Sequence, residues 1–231
     1  WGGVLAFLFL LLTACSSPSI PDNAKETGTL PQIYPDYIDV TVPQNIAPLT
    51  FHIDDEGSDF VCSYTLGHRQ IITEGIDAVP DIDEWRKLIA GGGDVTVDVY
   101  VKKGETWHHA QPFTIHVVKD EIDPYLTYRL IQPSYVAYED LTINQRDLTS
   151  WDERVVYNTR LTSTEKDGQC INCHSFQAYD GAKMQFHARA AYGGTIIIRD
   201  GKGIKMNLKT DGAISAGVYP SWHPTLPLIA Y

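Results

Sequence analysis

The sequence predicts a mainly β protein, on three observations. Aromatic residues make up 11% of the chain, with 13 Tyr and 5 Trp, and such side chains favour strands. Its 13 Pro and 18 Gly supply frequent turn signals. Val95, Val97, Val99 and Val101 alternate with Thr96, Asp98 and Tyr100, the period of two that marks a strand with one buried face. The 231 residues are enough for one or two domains at roughly 100–200 residues each. Hydrophobic residues at 43% and charged residues at 20% exclude a wholly disordered chain. Eighteen Lys and Arg against 29 Asp and Glu give a formal charge of −11, so there is no basic surface to neutralise phosphates and no nucleic-acid partner is expected.

Further strand signals surround the valine run. Asp39-Val40-Thr41-Val42 and Leu49-Thr50-Phe51-His52-Ile53 alternate, and the segment from Asp59 to Leu66 puts Phe60, Cys62, Tyr64 and Leu66 on one face. Lys102-Lys103-Gly104-Glu105 reads as a hairpin turn, with Trp107 and the alternating Phe113, Ile115 and Val117 on the return strands. Residues from Asp83 to Ala90 read as one short helix. Gly91-Gly92-Gly93 ends it, because glycine tolerates the left-handed conformation of a helix stop. Short strands with turn signals at this spacing predict an immunoglobulin- or fibronectin-like β-sandwich over residues 31–120. Residues 121–165, rich in Tyr, Pro and Arg and without a single period, are expected to be extended pieces connecting that domain to the rest.

Several residues in this part carry a simple expectation. Cys62, on the apolar face of its strand, is expected in the core. His108 and His109 are neighbours on a strand, point to opposite faces and are expected to be solvated rather than joint ligands. His52 and His116 have no partner legible in the sequence. Asp54-Asp55-Glu56 reads as a turn, with a calcium site as the alternative. No nucleophile elbow, His-Glu-x-x-His run, P-loop or dinucleotide glycine fingerprint occurs.

The sharpest motif is Cys170-Ile171-Asn172-Cys173-His174, a C-x-x-C-H run. It is the attachment signature of c-type haem. Two thiols add to the haem vinyl groups, two intervening residues let both sulfurs reach one porphyrin edge, and the adjacent His supplies a nitrogen to iron. With 4 Cys and 8 His, independent placement produces this pattern in about 0.2% of such chains. The expected cofactor is therefore haem c with its iron, held by Cys170, Cys173 and His174. The alternatives are a structural disulfide, a redox-active C-x-x-C, and half of a zinc site, for which a second Cys/His pair at suitable spacing is missing. For a sixth iron ligand the sequence offers His187 first and Met184 second, with Met206 and His223 as outside candidates. A His/Met pair gives a higher potential than His/His. Otherwise Met184 and Phe186 pack a haem edge and His187 faces solvent. Arg189 is a candidate partner for a haem propionate, since Arg is the best bidentate carboxylate partner.

The N-terminus points to export, which suits haem attached outside the cytoplasm. Trp1 to Leu12 carries no charge and is too short to span a bilayer, which needs about 20 residues. It fits the apolar region of a signal peptide lacking its charged start, so residues 1–14 read as a partial signal peptide. Leu12-Thr13-Ala14-Cys15 resembles the lipobox of bacterial lipoproteins. That resemblance implies cleavage before Cys15 and lipid on its sulfur and amine, anchoring the chain to a membrane. Ser at position 16 implies the outer membrane, facing the periplasm. The alternative is a plain secretory signal with an incidental Cys. The Ser-, Pro-, Asn- and Thr-rich residues 15–30 read as a lipidated tether.

Tyr219-Pro220-Ser221-Trp222-His223-Pro224 followed by Leu228-Ile229-Ala230-Tyr231 resembles the strand-turn-strand signature of TolB-type β-propeller blades, with Leu226 and Pro227 where that family usually has Asp-Gly. Residues 216–231 are thus expected to be the first strands of a truncated β-propeller, the chain reading as cut at both ends. Residues 166–215 are expected to be an irregular haem-binding segment. Ile122-Asp123-Pro124-Tyr125-Leu126-Thr127-Tyr128-Arg129-Leu130-Ile131, Cys170 to Phe176, and Phe186-His187-Ala188-Arg189 together resemble the TolB-like lipoproteins of Bacteroidetes. These join a sandwich-like region and a C-x-x-C-H segment to a propeller. The resemblance implies a periplasmic cytochrome-like electron carrier with a redox or protein partner of unknown identity. The rivals are a binding or scaffold lipoprotein in which Cys170 and Cys173 form a disulfide, and a haem enzyme such as a peroxidase with an open iron position.

Overall fold

The computed structural model describes residues 18–131, 133, 141–161, 170–213 and 216–231. The partial signal peptide and Cys15 lie outside the described residues. The protein is mainly β, with 47% strand and 7% helix in several sheets, none of them closed. Among the described residues no helix is long and apolar enough to cross a membrane. The chain divides into two compact units, unit 1 (Trp1–Glu121) and unit 2 (Ile122–Tyr231).

Unit 1 contains, in chain order, β1 (Lys25–Glu26), β2 (Ile33–Tyr34), β3 (Val40–Pro43), β4 (Phe51–Ile53), β5 (Asp59–Leu66), β6 (Arg69–Glu74), β7 (Asp77–Ala78), α1 (Ile82–Ile89), β8 (Gly93–Lys103), β9 (Thr106–His109) and β10 (Phe113–Val118). The long strand β8 organises a seven-stranded sheet. β5 pairs with one side of β8 and carries β6 beyond it. The other side is shared between β10 and β9, which carry β3 and β1 respectively. Most rungs are antiparallel, but β1 joins β9 and β3 joins β10 in parallel. A second sheet has the order β2-β4-β7.

The valine alternation explains why the sheet has one dry face. Val95, Val97, Val99 and Val101 are all buried, as are Phe60, Cys62 and Tyr64 opposite them on β5 and Phe113, Ile115 and Val117 on β10. Helix α1 adds Trp85, Leu88 and Ile89 to this core. Its start is capped by the Asp81 carboxylate, which accepts from the Asp83 and Glu84 N–H groups at 2.9 and 3.0 Å. Its end is turned by Gly91 and Gly92, at φ 91° and 74°. The Trp85 indole packs edge-on against Tyr64 at 5.8 Å and donates to the Ile46 carbonyl at 3.0 Å.

The opposite face of the sheet differs from the sequence expectation. His109 is not solvated, since only 14% of its side chain is exposed. His116 on that face, and His52 on β4 of the second sheet, without partners in the sequence reading, each sit beside carboxylates.

Unit 2 contains β11 (Tyr125–Leu130), β12 (Thr142–Asp147), β13 (Glu153–Asn158), β14 (Ile171–Phe176), β15 (Lys183–Ala188), β16 (Gly194–Arg199), β17 (Lys202–Met206), β18 (Ser221–Trp222) and β19 (Ile229–Ala230). The stretch read as a connector contributes a three-stranded antiparallel sheet, β11-β12-β13. The segment expected to be irregular is instead largely a four-stranded antiparallel sheet in sequence order, β14-β15-β16-β17. The sequence signal was weak because much of the apolar surface of β11 and β13, including Tyr125, Leu126, Leu130 and Val155, stays exposed. A period of two shows only when one face is consistently dry. The two sheets share a core of Leu141, Ile143, Ile171, Met184, Phe186 and Ala188. β18 and β19 pair as a short antiparallel hairpin.

Candidate functional site

The C-x-x-C-H run lies at the edge of the four-stranded sheet. Ile171, fully buried, anchors the start of β14 in the core. The Arg189 backbone N–H donates to the Cys170 carbonyl at 2.9 Å and closes the ladder there. Pairing with β15 then slips, from Asn172 opposite His187 to Ser175 opposite Gln185. Two residues, Cys173 and His174, therefore face the single residue Phe186. This is a β-bulge, and Cys173 takes the left-handed conformation at φ 58°. That position in such a bulge is usually glycine, and a cysteine there is a conformational cost of order 1–3 kcal/mol that the surrounding ladder must outweigh.

The bulge re-aims the following side chain. The His174 ring sits at 6.2 Å from the Phe176 ring, edge to face, with the Thr127 backbone of β11 near it. Burial disfavours the charged ring, the positive charge of Arg129 adds to this, and the Thr127 contact opposes both. The net effect holds the His174 pKa below 6.5. His174 is thus a neutral imidazole at pH 7. A neutral imidazole keeps one ring nitrogen's lone pair, the form in which histidine binds a metal. Cys170 and Cys173 are free thiols, both half-buried.

These observations fit a covalently held haem. Two reduced sulfurs with two residues between them, followed by a desolvated neutral imidazole, are the donor set that haem c requires.

The remaining candidates are dispersed. Met184 and His187 lie on opposite faces of β15, being three residues apart on a strand. Met184 is 4% exposed and belongs to the shared core. His187 is 6% exposed, with Nδ1 at 3.1 Å from the Thr195 hydroxyl. That hydroxyl donates to the Ala216 carbonyl at 3.1 Å, so it accepts from His187, whose Nδ1 carries the proton. Burial, then the Arg189 charge, lowers the His187 pKa. His174 turns toward β11, whereas His187 turns toward Thr195. Met206 is 40% exposed at the end of β17. His223 Nδ1 accepts the Thr225 and Leu226 N–H groups at 3.2 and 2.9 Å within its own turn. Among the described residues, no three or more His, Cys, Asp or Glu side chains gather as a metal site.

Arg189 is exposed and acts on His187. The cation beside the motif is Arg129, which sequence reasoning missed. Its Nη1 donates to Asn172 Oδ1 at 2.9 Å, between the two cysteines. No spacing rule connects residues 129 and 172, because their meeting depends on how two sheets pack.

Neither protein-family models nor curated proteins give a match to the chain.

Proposed function

We propose that this chain is a lipid-anchored protein of the cell envelope that carries one c-type haem and moves single electrons. The observation that carries this reading is the C-x-x-C-H run on a bulged edge strand, with two free thiols and a neutral His174. Cys170 and Cys173 would hold the porphyrin as thioethers, and His174 would be a ligand to its iron. The bound haem supplies one-electron chemistry at its iron, while the protein sets ligands, burial and nearby charge. Asn172 and Arg129 tie the motif to β11 and place a positive charge beside the axial ligand. Cys15 is the lipid anchor, on the outer membrane facing the periplasm, and the partner is a periplasmic redox protein.

The same reading takes unit 1 as an immunoglobulin- or fibronectin-like sandwich, supported by its seven-stranded sheet, second small sheet and buried core. It takes residues 216–231 as opening strands of a TolB-type propeller blade, supported by the hairpin of β18 and β19.

The test is expression of the full chain with haem-maturation machinery. The expected product is red, keeps its colour through acid–acetone extraction and gains the mass of one haem. A colourless product lighter by two hydrogens would mean a Cys170–Cys173 disulfide and favour the scaffold reading. In loaded protein, Arg129→Gln is expected to move the midpoint potential to a more negative value, because removing a nearby positive charge stabilises the oxidised iron. Arg189→Gln is expected to leave it nearly unchanged. Potentiometric titration of both variants checks this, and equal shifts would remove Arg129 from the site.

A further inference from the structure

The solvent-side face of the seven-stranded sheet holds two histidines, each clamped between two carboxylates. On β9, His109 Nδ1 is 2.8 Å from Glu26 Oε1 of β1, and Nε2 is 2.9 Å from Asp98 Oδ1 of β8. On β10, His116 Nδ1 is 2.7 Å from Asp94 Oδ1 of β8, and Nε2 is 2.8 Å from Asp39 Oδ1, just before β3. An ionised carboxylate only accepts hydrogen bonds, and a neutral imidazole has one N–H to give. Two carboxylates bonded to the two nitrogens of one ring therefore require the doubly protonated imidazolium. Both clamps occur at the strands joined in parallel to the outer side of the sheet.

The two strands do not depend on their clamps equally. β3 is held by four paired residues, Val40 to Pro43, and 39% of the His116 side chain is exposed. β1 has only two paired residues, Lys25 and Glu26, and His109 is largely covered. Water screens the His116 pairs more, so they contribute less.

We propose that His109 is a proton-operated clasp that holds β1 in the sheet, so that β1 undocks as pH rises. The groups facing the ring are Glu26 from β1, and Asp98 and Tyr100 from β8. Tyr100 stacks on it at 4.4 Å and 10°. Ser63 of β5 steadies Asp98 by donating to its other oxygen at 3.2 Å. None of these neighbours is a cation that could replace the imidazolium charge. When the ring loses its proton, one carboxylate loses its donor and both remain facing the same spot.

The direction of the pH effect follows from the ring's surroundings. Burial works against the charged ring, its hydrogen bonds to the Glu26 and Asp98 carboxylates together outweigh it, and the His109 pKa is raised above 6.5. A group whose pKa is raised on folding stabilises fully below its unfolded value and loses that contribution as pH climbs through the folded one. While Glu26 and Asp98 stay ionised, the clasp is closed up to pH 6.5 and opens as pH rises through the raised pKa of the ring. β1 is also where the segment read as a membrane tether meets unit 1. On that reading, undocking residues 25–30 lengthens the tether by up to about 20 Å.

The test is nuclear magnetic resonance on the labelled full chain. In the wild type, both His109 ring nitrogens are expected to carry protons at pH 6. The Thr27 amide, which donates to the His109 carbonyl at 2.9 Å, is expected to lose roughly fivefold or more in protection factor from pH 6 to 9, as fits loss of a charge-assisted hydrogen bond. Glu26→Gln and His109→Gln are expected to flatten that dependence and lower Thr27 protection at pH 6. The amides of β8 serve as the folding control. If a variant fails that control, the wild-type ring-nitrogen spectrum decides. A singly protonated ring at pH 6, or a Thr27 dependence that survives in both variants, overturns the clasp. A mature chain without lipid would overturn only the tether role.

Discussion

Trp85→Ala is expected to destabilise unit 1 by about 3–5 kcal/mol, the range for removing a large aromatic side chain from a core. Trp85 has no exposed surface and meets Tyr64 edge-on at 5.8 Å. It is the side chain through which α1 reaches both the seven-stranded sheet and the Ile46 carbonyl. Alanine leaves a cavity and also a buried carbonyl without its donor, which adds to the loss. Since small domains are stable by only about 5–15 kcal/mol, the variant is expected to be partly unfolded at 37 °C. Urea titration followed by circular dichroism measures it. Trp85→Phe retains most of the packing and is expected to recover the larger part, separating the aromatic volume from the hydrogen bond. A loss below about 1 kcal/mol for the alanine variant would mean that α1 does not seal this core.

Phe186→Ala is expected to have a comparable effect on unit 2, again about 3–5 kcal/mol. Phe186 is 3% exposed, packs at 5.1 Å against Tyr157, and is the residue opposite the Cys173–His174 bulge. Its loss takes away the floor under the C-x-x-C-H strand. Hydrogen exchange resolved by residue is the suitable measurement, because the two units report separately and unit 1 serves as the reference. Amides of β15 and β16 are expected to lose protection while those of β8 keep it. Haem incorporation is expected to fall in parallel. Phe186→Leu keeps more of the volume and is expected to cost less. Unchanged protection in the alanine variant would show that the shared core does not depend on this ring.

Both variants sit in cores whose legibility in the sequence differs sharply. Unit 1 was readable from Val95, Val97, Val99 and Val101, because one face of β8 is dry along its length and the period of two survives. The short helix was readable because Asp83 to Ala90 is followed by three glycines. Unit 2 was not readable as sheet, because β11 and β13 leave apolar side chains in water and the period dissolves.

The candidate site divides in the same way. Cys170, Cys173 and His174 were legible as a candidate site because the C-x-x-C-H spacing is wholly local. The roles of their surroundings were not. His187 ranked ahead of Met184 along the chain as a sixth ligand, yet strand alternation sends Met184 into an apolar core and His187 to Thr195. Arg129 is 43 positions from Asn172 and Glu26 is 83 from His109. Local order along the chain by itself determined a mainly β protein, the helix α1 and a C-x-x-C-H run. Only the tertiary structure decided which charges surround that run and which histidines hold a second proton, because burial and long-range pairing set electrostatics and neither is encoded in neighbouring residues.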